Sequence, residues 1–194
     1  MADNAPVVIA DPAPLGLAGF GMTTFVLSIF NANLVDAKLL PVVFPLAIFY
    51  GGIAQLLAGM WEFRRGNTFG AVAFTSYGAF WLAFWFYVHS IAGGLPAATA
   101  YQATGLFLLA WTIFTGIMMI AAFGLNGVIK VLFIVLFITF LLLTIGTYAS
   151  NASIGKIGGY VGILTALIAW YGVLALVSNS VFNKDVFPMF PKKE

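Results

Sequence analysis

The groups in this chain most capable of chemistry are gathered in one stretch, "GGIAQLLAGMWEFRR". Helical spacing puts Gly52, Gln55, Gly59 and Glu62 on a single face, with Arg64 and Arg65 completing a charged cluster at its end. A primary amide such as Gln55, set in an apolar helix, must find hydrogen-bond partners or water, because an unpaired polar group costs several kcal/mol there. Milder polarity recurs at the same spacing elsewhere: Thr24, Ser28 and Asn31 share a face, as do Thr104, Trp111 and Thr115. These stripes should point inward, although a Ser or Thr hydroxyl can equally bond its own preceding turn. Covalent or metal chemistry has almost nothing to work with. There is no cysteine and only one histidine, His89, with no acidic partner close in sequence. That histidine reads as an interfacial group rather than a proton relay. The expectation is no enzyme, no metal and no cofactor.

What must position these side chains is a set of membrane helices. Of 194 residues, 62% are hydrophobic and 7% charged, far below the roughly 25% charged content of soluble domains. A bilayer core needs about 20 apolar residues per helix. Six spans fit that length, near Pro14 to Asn33, Leu40 to Phe63, Phe69 to Ile91, Ala98 to Phe123, Val128 to Tyr148 and Ile157 to Val177. The breaks carry turn chemistry: "NANLVDAK", "RRGN", "AGGLP", "GLNG" and "SNASIG". The expected fold is an all-α membrane protein, residues 1–194 forming a single six-helix domain. It has a short N-terminal segment, 1–13, and a C-terminal tail, 181–194. Asp3 and Asp11, with no Lys or Arg in that first segment, argue against a cleavable signal peptide.

Six spans place both termini on one side of a membrane. Arg64, Arg65, Lys130, Lys184, Lys192 and Lys193 fall on that side, against Lys38 and Lys156 on the other, so both termini are expected in the cytoplasm. Trp61, Trp81, Trp85, Tyr87, Tyr101 and Tyr148 lie mostly toward span ends, as interfacial aromatics do. A net charge of +2 is too small to suggest nucleic acid. Small residues spaced by four, Gly155 with Gly159, Gly158 with Gly162, Ala54 with Ala58 and Ala79 with Ala83, predict close helix packing.

The first span opens on "DPAPLGLAGFGMTT". Pro12 and Pro14 stop a helix from extending backward, and Asp11 can cap its first amides. Gly16, Gly19 and Gly21 let another backbone or a small solute come close. Two readings remain open here: a weak anion site at the helix N-terminus, or a capped, tightly packed helix start.

"PAPLGLAGFGMTT" and "FYGGIAQLLAGMWEFRRGNTFGAVAFTSYGAFWL", with "IGTYASNA" farther on, resemble the acetate uptake transporter family, which includes the bacterial succinate-acetate permeases. The family's opening motif begins Asn-Pro, and Asp11 stands here in place of that Asn. The resemblance implies a plasma-membrane protein whose six-helix protomers form a homo-hexameric ring, each with its own path for acetate and similar small carboxylates. It also implies a narrow apolar constriction, which falls on Phe20, Tyr77 and Leu136. Apolar rings can gate by dewetting, and a Tyr hydroxyl can meet a carboxylate that has shed water. On this reading Thr23, Thr24, Gln55, Thr75 and Ser76 are candidates to line the path, and Glu62, Arg64 and Arg65 to act at its cytoplasmic mouth. Transport is expected to be channel-like or proton-coupled. The alternative is a urea or short-amide channel of similar architecture.

Overall fold

The computed structural model describes residues 9–191; Asp3, Lys192, Lys193 and Glu194 lie outside them. Six long apolar helices run in sequence: α1 (Ala13–Asn31), α2 (Ala37–Arg65), α3 (Thr68–Gly94), α4 (Ala100–Ala122), α5 (Gly127–Tyr148) and α6 (Ala152–Phe182). Each is long enough to cross a bilayer core. The largest departure from expectation is α6, which starts at 152 instead of 157 and runs to 182 instead of 177. The Asn151 carboxamide oxygen caps its start by accepting the N–H groups of Ser153 and Ile154, at 3.0 and 3.2 Å. The tail therefore begins at Asn183, in a left-handed conformation with φ 52°.

α2 is not uniform. A 3-10 turn (Ala37–Val42) leads through Val43–Pro45 into a π-helical stretch (Leu46–Ala54), before a regular α-helix resumes at Gln55. Pro41 and Pro45 lack the N–H that a continuous ladder needs, and wider π turns change which residues face inward. The adjacent Gly51 and Gly52 are both buried as a result. At Gly19 of α1, a Cβ would lie 2.5 Å from the Tyr50 carbonyl oxygen, so only glycine admits this crossing of α1 and α2. The close, capped packing is therefore what the glycines of the opening motif serve: Gly16 rests on the Phe74 ring and Gly21 on Trp170.

α1 is the central helix, packing on α6 along one side and on α2 along the other; α2 packs on α3, and α5 between α4 and α6. The α1–α6 seam is glycine-built, with Gly159 against the Asn31–Ala32 backbone and Gly162 against Ser28. Gly158 receives Leu142 and Leu143 of α5. Ala79 and Ala83, by contrast, lie on the outer surface of the bundle. α3 and α4 meet through large rings instead of close backbones: Phe80 with Trp111 at 5.0 Å, Phe80 with Phe107 at 5.9 Å, and Tyr87 stacked on Phe107 at 5.4 Å.

The polar stripes do turn inward, since Thr24, Ser28, Gln55, Glu62 and Thr115 are all buried. Many hydroxyls also bond their own preceding turn, Thr23 to the Gly19 carbonyl and Thr112 to that of Leu108 among them. Trp81 departs from the interfacial reading: it is 2% exposed, edge-on to Phe80 at 4.9 Å and close to Gly51. His89 is exposed near the end of α3, stacked on Trp85 at 5.7 Å, as an interfacial residue would be.

After α6 the chain folds back. The Asn179 side chain accepts from the N–H groups of Val186 and Phe187 and donates to the Phe187 carbonyl. The Tyr171 hydroxyl donates to the Pro188 carbonyl at 2.9 Å, and the Gly127 N–H to that of Phe190 at 2.7 Å. Asp11, at the other end of the chain, pairs with Arg65. Asp11 and Phe190, near the two ends of the described residues, thus lie on the side that carries the α2–α3 and α4–α5 turns.

Candidate functional site

A cavity of about 280 Å³ enters the bundle from the side of the chain ends. Its rim includes Asp11, Arg65, Asn126 and Met189. Followed inward along each helix, the lining stops at Phe20 on α1, Gln55 on α2, Tyr77 on α3 and Leu136 on α5. Three of these four are the residues expected to form the constriction. Phe20, Tyr77 and Leu136 are 5%, 2% and 3% exposed, and the Phe20 and Tyr77 rings lie 5.7 Å apart in a tilted pair. Farther along the same helices, Phe80 and Phe140 meet edge to face at 5.5 Å. The inner end of the cavity is therefore walled by rings and a leucine, with one amide beside them.

The Tyr77 hydroxyl is not free. It shares a hydrogen bond of 3.0 Å with Thr115 on α4, from the polar stripe of that helix. When Thr115 is the donor, the phenol keeps its own O–H for a second partner. Rings of Phe114, Trp111 and Phe133 pack around it at 5.6 to 6.2 Å and hold its orientation.

Gln55 is 1% exposed, and its side-chain oxygen is buried without a protein partner. An amide in this state is a group awaiting a solute or water. Two helical turns nearer the mouth, Glu62 is 0% exposed; one carboxylate oxygen accepts from the Asn67 amide at 3.0 Å and the other has no partner. Gly70 makes room for this carboxylate, since a Cβ there would lie 2.9 Å from its carbon. Asn67 also caps α3, its oxygen accepting from the Gly70 N–H at 3.1 Å. Arg65 lies 4.0 Å from Glu62 and pairs with Asp11, whose same oxygen accepts from the Ala13 N–H at 3.0 Å.

The remaining expected site residues lie elsewhere. Thr23, Thr24, Thr75 and Ser76 are not part of the cavity lining. Thr23 bonds to the Gly19 carbonyl, while Thr75 is packed against Gly59. Arg64 is exposed and also outside the lining. Asn67, Asn126 and Met189 line the cavity without having been singled out. "RRGN" reads as a turn, and the step from turn to site needs the cap: an Asn that opens α3 is thereby brought against Glu62.

The family model for the GPR1/FUN34/yaaH family matches residues 2–191. The chain is 40% identical to the succinate-acetate/proton symporter SatP of Escherichia coli (strain K12), covering 93% of this chain and 95% of that protein. It is 41% identical to acetate permease A of Emericella nidulans, over 93% of this chain but only 65% of that longer protein. A solved structure of the bacterial acetate channel SatP superposes with a TM-score of 0.86 at 40% identity, covering 93% of this chain and 99% of that one. Both the sequence match and the fold match run through nearly the whole six-helix unit. The chain belongs to the GPR1/FUN34/yaaH family.

Proposed function

We propose that this protein moves acetate and related small carboxylates across the membrane, along a path inside each protomer that narrows at Phe20, Tyr77 and Leu136. The observation that carries this reading is the cavity that leads from the chain-end side to those three residues and ends there. An acetate ion entering it exchanges water for the polar groups of the wall. Gln55, whose amide offers two N–H donors as well as its oxygen, is the last of these before the ring, together with Tyr77. The apolar ring then admits a small, largely dehydrated solute and excludes bulk water. Names such as acetate permease, symporter and acetate channel among its relatives support the substrate class.

The same reading puts the protein in the plasma membrane as a homo-hexameric ring, with Glu62 and Arg65 near the cytoplasmic mouth. Ala79 and Ala83, exposed on α3, give one face where a neighbouring helix can approach closely. Cytoplasmic termini follow from the six-to-two distribution of Lys and Arg. Tags placed after Glu194 and in the Asn33 to Lys38 loop are expected to label from opposite sides. Labelling of both from one side would remove the six-span topology.

The test of transport is labelled-acetate flux into proteoliposomes, with pH and membrane potential clamped separately. Flux above that of empty liposomes is expected, and its response to each gradient separates channel-like passage from proton coupling. Urea flux without acetate flux would favour the short-amide channel instead.

Glu62→Gln keeps an oxygen for Asn67 and removes the charge. It is expected to alter the rate of acetate flux and leave its pH profile in place, the role of Glu62 being electrostatic and structural. A pH dependence that disappears in this variant would make Glu62 a coupling site.

A further inference from the structure

We propose that Asp11 is an internal competitor of the transported carboxylate for Arg65, and so sets how weakly the mouth on the chain-end side holds its solute. This rests on the carboxylate-transport reading above. Among the described residues, Asp11, Glu62 and Arg65 are the charged ones lining the cavity, two carboxylates around one guanidinium. The two acids differ in character. Glu62 is fully buried and tied to Asn67, whereas Asp11 and Arg65 have side chains 40% and 35% exposed. An ion pair so open to water is weak, and its partners can be exchanged.

Asp11 is nonetheless held where it can compete. The oxygen that meets Arg65 also accepts the Ala13 N–H, just before a helix that begins abruptly behind Pro12. A guanidinium is built to receive a carboxylate through parallel N–H donors, and Asp11 engages this one at the rim. A solute carboxylate arriving there meets the same group and competes for it with Asp11, which holds it through Nη1 alone. Deeper in the same cavity the Gln55 amide, whose oxygen has no protein partner and whose nitrogen carries two donors, is a neutral polar group that a solute meets beyond this first encounter. The pair thus works as an exchange point, where one carboxylate replaces another without leaving an unpaired guanidinium. Weak holding at a mouth favours rapid release, as conduction requires.

The test is the half-saturation concentration for labelled acetate in proteoliposomes of known orientation, with acetate supplied from the chain-end side. Asp11→Asn keeps an oxygen for the Ala13 N–H and removes the competing charge. It is expected to lower half-saturation about two- to fivefold, the range set by a surface ion pair of at most about 1 kcal/mol. Arg65→Gln is expected to raise half-saturation, and Asp11→Asn added to it should have no further effect. Arg65→Lys, which keeps the charge but loses the fork, serves as a second background in which the effect of Asp11→Asn should shrink. An unchanged or higher half-saturation in Asp11→Asn would overturn the proposal. So would an equal decrease with and without Arg65, because Asp11 would then act as a general repulsive charge. Wild-type protein that moved no acetate would fail earlier, taking the transport reading with it.

Discussion

Tyr77→Phe is expected to slow acetate flux roughly 10- to 150-fold while leaving the substrate range nearly unchanged. The figure is that of one hydrogen bond to a charged group, about 1.5 to 3 kcal/mol, made where the barrier is highest. The substitution keeps the ring, and with it the contacts to Phe20, Phe114 and Phe133. What it removes is a hydroxyl that Thr115 orients from the opposite helix at 3.0 Å. Deprived of this partner, Thr115 can turn to its own preceding turn, as Thr112 and Thr139 already do, so the cost in stability should stay near 1 kcal/mol. Thr115→Val should slow flux in the same direction by a smaller amount, because the phenol survives but loses the group that aims it. The measurement is initial acetate flux per reconstituted protein. Rates equal to wild type in both variants would mean that the hydroxyl never meets the solute.

The second large effect concerns size. Leu136→Ala and Phe20→Ala each remove a buried side chain from the end of the cavity, and flux of larger carboxylates and lactate-like solutes relative to acetate is expected to rise. Selectivity between solutes that differ by about one methylene is worth about 1 to 3 kcal/mol in an apolar pocket, or 10- to 200-fold, and that is the advantage acetate stands to lose. Both variants should also lose stability, by about 2 to 5 kcal/mol in the range seen for large-to-small core changes, so flux must be normalised to folded protein. Sieve and binding group then separate: trimming the ring changes which solutes pass, and removing the hydroxyl changes how fast acetate does. Well-folded variants with wild-type rates and substrate range would place the path elsewhere.

The helices were the most legible part of the sequence, for a physical reason. Four of the five breaks combine a turn former with a capping side chain: Asp36, Asn67, Asn126 and Asn151 all cap the helices they precede. Periodicity also identified the inward faces correctly. It could not say which inward residues meet the cavity. Thr23 and Gln55 both turn inward, but the hydroxyl is short enough to reach its own backbone and the amide is not, so of the two only Gln55 is left facing the cavity. The π-helical stretch of α2 was hidden because a 3.6-residue period assumes a regular helix, and Pro41 and Pro45 signal irregularity without giving its form.

The proposed constriction is legible only through family resemblance. Nothing in "VLFIVLFITFLLLT" distinguishes Leu136 from its apolar neighbours, and its place at the end of the cavity depends on three other helices. Trp81 is hard to place from sequence because tryptophan is common at membrane interfaces, while a glycine on the neighbouring helix, Gly51, here makes room for it inside the bundle. The returning tail depends on Asn179, which by sequence alone is one polar residue near a helix end.

The most direct test of the path uses the absence of native cysteine. Leu136→Cys introduces a single thiol at the proposed constriction, where a small charged methanethiosulfonate reagent can be supplied from the chain-end side. Acetate flux should fall in step with modification, and acetate at saturating concentration should slow the modification itself. A thiol modified to completion with flux undiminished would contradict passage between Phe20, Tyr77 and Leu136.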